Sequence, residues 1–328
     1  MAAAYDLGTP LAMDDLRELL PDFKRHLRAK NRSPDTIDSY VDIATEYIQF
    51  LIAEGLSTAA PASTHKEIEL FFSAMRDRKN KRTGKPLSEA YIAKFYRSLQ
   101  QFFVWMHLKE EVIPADPFAK TSPPTVNEVP PPVLTVDQIQ KLLDTTKGKK
   151  TFEGLRDRAL MLLFLDTPGR IDEIASTEVD DRANDKPGSF DFDADVVHVL
   201  GKGRRPRAMP FGAVTGEALR RYLRARARHP FAAKTNAMWL GRKGALTDWG
   251  IRHVFNRRAA EAGLPHIHPH MFRHTFAHRW LEKGGQEQDL MRLAGWKSRQ
   301  MVGRYGASAA TERAHKAHRR SGMMDEIR

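Results

Sequence analysis

The chain has 328 residues, a length that suggests about two domains. It has no cysteine and no apolar run near the ~20 residues of a membrane helix, which excludes a disulfide scaffold, thiolate chemistry and a helical membrane anchor. The net charge is +12, and it is uneven: residues 1–120 hold 17 basic and 17 acidic side chains, whereas 121–328 hold the other 36 and 24. A polyanion is the natural partner of such a surplus, and nucleic acid is the commonest one. Residues 1–10 lack a basic stretch followed by an apolar one, so a secretory signal is not expected and the cytoplasm is the expected compartment.

After an N-terminal tail, residues 1–13, four helices are expected over 14–113. The first, 14–30, repeats Leu16, Leu19, Leu20, Phe23 and Leu27 at steps of three and four. Ser33-Pro34 opens the second as N-cap and first helical residue, and Gly55 stops it. A third is expected over 65–78. A fourth is expected over 88–108, with Tyr91, Ile92, Phe95, Leu99, Phe102, Phe103 and Met106 on its buried side. Residues 114–132 contain seven prolines and read as an extended, non-helical linker. Helices resume at Thr135 and over 152–165. The period then shifts between 189 and 211 to short strands around the turn GKGRRPR. Further helices are expected over 214–228, 248–262, 269–283, 288–294 and 309–319.

Four patches could carry chemistry. In DTPGRIDEIA, Arg170 follows a Pro-Gly turn at a helix start, where backbone N–H groups attract anions; taken alone, it could equally pair with Asp172 or Glu173. In GKGRRPR, glycines flank Lys202, which could also be a plain basic turn. In HPHMFRHTFAHRW, His270 and Arg273 share one helix face beside a proline-led N-terminus, which suits a phosphate clamp. The competing reading there is a metal site made of His266, His268, His270 and His274, but no carboxylate or cysteine stands at a matching ligand spacing. In LAGWKSRQMVGRYGAS, Trp296 follows the helix breaker Gly295, and Tyr305 lies nine residues later.

Together and in this order, the patches resemble the signature of the tyrosine recombinase (phage integrase) family. Arg170, Lys202, His270 with Arg273, Trp296 and Tyr305 fall on its Arg, Lys, His-x-x-Arg, His/Trp and Tyr positions. TPGRIDEI resembles the family's T-G-x-R-x-x-E segment, HPHMFRHTFAHRWLEKGG its H-x-L-R-H-T-F-A-x-x-L-x-x-x-G helix, and LAGWKS its L-G-H-x-S segment. The likeness runs from about residue 14 to 310 and includes SPDTIDSYVDIATEYIQFL in the first half. Two departures stand out. T-P-G-R replaces T-G-x-R, and Trp296 replaces the commoner His, keeping an N–H donor but no titratable proton.

The resemblance implies a mainly α fold with a small β-sheet: an α-helical, SAM-like core-binding domain over 14–113, the linker 114–132, and a mixed α/β catalytic domain over 133–307. It implies a site-specific recombinase that cleaves and rejoins DNA through a 3′-phosphotyrosyl intermediate on Tyr305, without ATP, metal or cofactor. Arg170 and Arg273 would hold the phosphate, Lys202 would protonate the leaving oxygen, His270 would act as base, and Trp296 would hold a non-bridging oxygen. Glu173 would orient the basic groups. The implied partners are duplex DNA with inverted-repeat core sites, a homotetramer pairing two such sites, and an accessory bending or directionality factor. The C-terminal tail, 308–328, would dock on a neighbouring protomer. Expected DNA-backbone contacts are Arg25, Arg28, Lys30 and Arg32 at the first helix's end, Lys79, Lys81, Arg82 and Lys85 in the loop before the fourth, and Arg257 and Arg258. A compact integrase and a Xer-like resolving enzyme both fit. The alternatives are a type IB topoisomerase-like relaxing activity and a DNA-binding regulator without chemistry.

Overall fold

The computed structural model describes residues 12–126, 131–181, 183–201, 205–303, 314–315 and 318–322. Its backbone divides into two units, Met1–Asn127 and Glu128–Arg328. Among the described residues the chain is mainly helical, as the patterning predicts, and carries two small antiparallel sheets, of which the first lies where strands are expected. None of the described helices is long and apolar enough to cross a membrane.

The first unit holds α1 (Leu16–Ala29), α2 (Pro34–Ala53), α3 (His65–Asp77) and α4 (Glu89–Leu108). Local chemistry sets each start. The Asp15 carboxylate accepts from the Arg17 N–H at 2.8 Å, Pro34 occupies the first turn of α2, Thr64 and Glu67 form a capping box on α3, and the Ser88 hydroxyl accepts from the Tyr91 N–H. Gly55, with φ at +68°, lies just past the end of α2. The core is aromatic, with Phe23 5.0 Å from Phe102 and Tyr47 5.3 Å from Phe71 between ring centroids.

Two local expectations fail in this unit. Tyr91 is 43% exposed, because it lies in the first turn of α4 and rests on Phe95 along the helix's own surface. The proline-rich stretch is not extended throughout. Pro117–Lys120 form a 3₁₀ turn capped by Asp116, and Phe118 is buried in the helical core, 4.9 Å from Tyr96. Proline is tolerated there because a first-turn residue needs no N–H partner, and burying Phe118 ties the segment down.

The second unit begins with α5 (Val136–Asp144), opened by a Thr135/Gln138 capping box, and α6 (Phe152–Asp166), whose residues 159–164 are buried in an unbroken run. The short α7 (Ile171–Ala175) leads to a sheet of β1 (Phe190–Asp191), β2 (Val196–Gly201) and β3 (Arg205–Pro210), paired in that order. Then follow α8 (Ala213–Arg226), the hairpin β4 (Leu240–Gly241) and β5 (Gly244–Ala245), α9 (Asp248–Glu261), α10 (Pro269–Glu282) and α11 (Glu287–Ala294). The sequence pattern misses the β4–β5 hairpin, whose two-residue strands are too short to show a period. Trp239 beside it is fully buried, stacks on Tyr222 at 5.3 Å, and donates its indole N–H to the Ile174 carbonyl and the Thr177 hydroxyl, both at 2.9 Å. That bond fixes the C-terminal end of α7.

A buried charge cluster joins α6 to α9. The fully buried Asp157 carboxylate accepts from Arg156 at 2.7 and 2.9 Å, from Arg258 at 2.6 and 2.9 Å, and from Arg257. Arg258 is 4% exposed and also donates to Glu261 and to the Thr145 carbonyl, so its guanidinium is fully engaged inside the fold. This corrects the expectation that Arg258 contacts DNA. Arg257 keeps an exposed flank beside the same carboxylate. Removing one partner from a buried ionic cluster costs about 3–5 kcal/mol. Asp157→Ala is therefore expected to lose about that much stability by urea denaturation; a loss below ~1 kcal/mol would show that the three arginines are solvated after all.

Candidate active site

The site is assembled around Arg273. His268 and Pro269 open α10, placing His270 in its first turn and Arg273 one turn on. Arg273 is 3% exposed. Its guanidinium donates to the carbonyl of Ala294 at 2.6 Å and to that of Pro168. Its carbon lies 5.3 Å from the centroid of the Trp296 ring. Trp296 reaches this position because Gly295 closes α11 in a left-handed conformation, φ +64°, and turns the chain back over the helix end. The Trp296 N–H then bonds the Met291 carbonyl at 2.9 Å. One buried cation thus ties three distant segments together: Pro168–Arg170, α10 and Ala294–Trp296.

Arg170 is the N-cap residue of α7. Its backbone N–H and its Nη1 each donate to the Glu173 carboxylate at 2.8 Å. Glu173 is 3% exposed, and its Oε2 also accepts from Nη2 of Arg207 on β3. The altered T-P-G-R turn has a steric reason. A Cβ on Gly169 would lie 2.8 Å from the buried Ile174 side chain and 3.3 Å from that of Met209, so a larger residue directly before Arg170 would have to displace core side chains under α7. Burial pulls the Arg207 pKa below the usual guanidinium value, Glu173 opposes that shift, and the nearby Arg170 charge adds to it. The sequence motifs do not single out Arg207. Strand alternation could have found it, because Arg207 is two residues from the core residue Met209 and so faces the same side of β3.

Arg170, Gly201, Arg205, Arg207, Trp296 and Lys297 help line one open cleft of about 1050 Å³. Burial lowers the His270 pKa from its ordinary 6.5, and the charges of Arg273, Arg252 and Arg170 add to this while Asp172 opposes it. The shift favours the neutral imidazole. His268 is lowered too, by burial and then by its histidine neighbours. The rings of His268, His270 and His274 stand 6.3–6.5 Å apart between centroids. Among the described residues no group of three or more His, Cys, Asp or Glu could hold a metal ion.

Lys202 and Tyr305 lie outside the described residues, as does the tail 308–328 apart from 314–315 and 318–322. Arg25, Arg28, Lys30, Arg32, Lys79, Lys81, Arg82 and Lys85 are all exposed on the first unit. The loop carrying the last four is a tight turn, held by the Asn80 side chain accepting from the N–H groups of Arg82 and Thr83 at 2.9 and 3.1 Å.

Residues 132–312 match the phage integrase family. The chain is 29% identical to the tyrosine recombinase XerC of Oceanobacillus iheyensis, covering 87% of this chain and 90% of the relative. It is 30% identical to XerC of Anoxybacillus flavithermus, covering 81% and 84%. Its fold is shared with the Tn1549 transposon integrase in complex with a circular intermediate DNA, at a TM-score of 0.66 and 20% identity over 91% of this chain and 99% of that one. A lambda integrase dimer bound to a COC′ core site aligns with a TM-score of 0.64 and 19% identity, over 89% and 95%. The chain belongs to the phage integrase family and is a tyrosine site-specific recombinase.

Proposed function

We propose that the chain cuts and rejoins duplex DNA through Tyr305, forming a 3′-phosphotyrosyl intermediate at inverted-repeat core sites brought together by a homotetramer. The observation that carries this reading is that Arg170 and Trp296, from separate segments, line one cationic cleft, that the buried Arg273 ties those segments together from behind, and that His270 feels the charges of both arginines. In the forward step the Tyr305 oxygen bonds to phosphorus and the bond to the 5′-oxygen breaks. The reverse step, with a 5′-hydroxyl from a second duplex, joins new partners. Each bond broken is replaced by one of similar energy, so no ATP is required.

The chemistry divides among the residues. A free tyrosine has a pKa near 10, so about one in a thousand is ionised at pH 7, and reaching the phenolate costs roughly 4 kcal/mol. A neutral His270 is in the right protonation state to take that proton. Arg170 and Arg273 are permanently charged forks that match the non-bridging oxygens; losing one such donor lowers the rate about 10²- to 10⁵-fold. Lys202 protonates the leaving 5′-oxygen, and Trp296 packs under the Arg273 guanidinium while holding a non-bridging oxygen. Glu173 fixes Arg170. With this much fixed positive charge on the phosphate, cleavage proceeds without a metal ion. Arg25, Arg28, Lys30, Arg32, Lys79, Lys81, Arg82, Lys85 and Arg257 contact DNA phosphates, which makes affinity fall steeply with salt. The domain spanning 14–113 is the core-binding domain, 114–132 connects it to the catalytic domain 133–307, and the tail 308–328 docks on a neighbouring protomer. An accessory protein sets direction.

DNA flanking the gene, nicked near inverted repeats and incubated with protein in EDTA, is expected to give SDS-resistant adducts that vanish with Tyr305→Phe. Adducts that need added magnesium would overturn the metal-free step, and adducts without strand exchange between two sites would favour a relaxing enzyme. The sign of the pH effect follows from the lowered His270 pKa. The acid limb of the cleavage-rate profile is expected below pH 6.5, and His270→Gln is expected to abolish it; an unchanged limb would acquit His270 as base. Deleting residues 309–328 is expected to leave single-site cleavage intact while synaptic tetramers disappear in native gels. Unchanged tetramers would remove the trans-docking role.

A further inference from the structure

Trp105, Trp239 and Trp296 are buried, and Trp280 packs against a core cluster. The remaining tryptophan, Trp249, is 76% exposed in the first turn of α9. An indole is among the largest apolar surfaces a side chain can bury, so one left in water at a helix start calls for a reason. The backbone beneath it is pinned. The Thr247 hydroxyl accepts from the Gly250 N–H at 3.3 Å, and the Leu246 N–H donates to the Trp239 carbonyl at 2.8 Å. A Cβ on Gly250 would stand 2.5 Å from Cδ2 of Leu246, and one on Gly241 would stand 3.1 Å from the same atom. A single methyl group is therefore wedged between the β4–β5 hairpin and the first turn of α9, and it holds the two together.

The rotation of the helix follows from its core side. α9 buries Ile251, Val254, Phe255 and Arg258. At about 100° per residue, Trp249, Arg252 and His253 fall on the opposite face, and Arg257 continues it one turn on. The turn of the adjoining hairpin adds Arg242 and Lys243, both exposed. Asp248 is the only acidic residue between 241 and 258. The charge of Arg252 acts on both His268 and His270, so this face adjoins the first turn of α10.

A fixed indole framed by cations suits duplex DNA. The cations match phosphates, an α-helix fits the major groove, and an apolar ring packs on base edges there, above all on a thymine methyl. A second copy of this chain is a poorer occupant, because it brings its own charge of +12 to a cationic rim. We infer that the first two turns of α9 read base sequence beside the cleavage position, with Trp249 packed on base edges in the major groove and Arg242, Lys243 and Arg252 on the flanking phosphates. The inference deepens the proposed function and rests on it. Trp249 stands about one helical turn, ~5.4 Å, from Arg252, and base pairs are ~3.4 Å apart, so the bases it reads lie within a few pairs of the phosphate attacked.

The test uses duplexes carrying one mapped half-site, changed one base pair at a time. Each is titrated with the wild type, Trp249→Ala, Trp249→Phe and Lys243→Gln, and adducts are scored on the same set. A wrong base pair at a position that is read costs about 5- to 150-fold in affinity. Trp249→Ala is expected to bind the natural half-site about 10-fold more weakly and to lose discrimination at one or two adjacent positions, while every other position keeps its penalty. Trp249→Phe keeps an apolar ring and is expected to retain part of that discrimination. Lys243→Gln is expected to weaken all duplexes alike and to lower the salt slope by about one, which Trp249→Ala leaves unchanged. Equal losses with Trp249→Ala on every duplex, or none on any, would falsify the base contact. Half-site binding that is unchanged, with a loss only on paired full sites, would make Trp249 a contact between protomers instead. A wild type that forms adducts yet discriminates at no position near the cut would overturn the inference and leave the proposed function standing. A wild type that forms no adduct on any duplex would overturn that function, and the inference with it.

Discussion

The buried guanidinium of Arg273 is the constraint on which the site's geometry depends. It donates to two backbone carbonyls, those of Pro168 and Ala294, that are 126 residues apart in the chain, and it packs on Trp296. A buried arginine is stable only if its donors are satisfied. Carbonyls at helix ends suit the task, because the last C=O groups of a helix have no partner within it. Ala294 is the last residue of α11, so the same bond completes a helix end and orients a cation. This explains how residues from three segments can be held in register without a contact between their side chains at every step.

Glu173 performs a related task with the opposite sign. It is almost fully buried and neutralises part of the charge that Arg170 and Arg207 bring to one wall of the cleft. Without it, two adjacent guanidinium ions would repel each other in a poorly hydrated place. With it, the pair remains cationic in sum and rigid in position. Preorganised charge of this kind stabilises a developing anion without reorganisation during the reaction.

The basic surplus of the chain therefore has two uses that composition cannot separate. Some arginines face solvent, as Arg25 and Arg82 do. Others are internal struts. Arg156 and Arg258 surround Asp157, and Arg226 donates to the carbonyls of Thr235, Ala237 and Met238. Arginine suits both uses because its fork can satisfy several acceptors at once. A charge count thus identifies a polyanion-binding chain without saying which cations bind.

Much of the architecture is decided locally and is legible in the sequence. The helices of the first unit follow from apolar residues at helical spacing and from caps at Asp15, Thr64 and Ser88, which act over a few residues. The order Arg170, His270–Arg273, Trp296 is legible for the same reason, since each short motif carries its own turn or helix start. Pairings across long separations are not legible. Nothing near Arg207 in the chain announces Glu173, which lies 34 residues before it, and nothing near Arg258 announces Asp157, 101 residues away. Phe118 is hidden within a proline-rich stretch that locally favours an extended chain, and only its burial against Tyr96 fixes where that stretch is held. Sequence alone settled the helical spacing, the caps and the ordered motifs, because these depend on neighbours along the chain. Tertiary structure decided which arginines serve the cleft and which serve the core, because a buried ion's partner is set by packing in space.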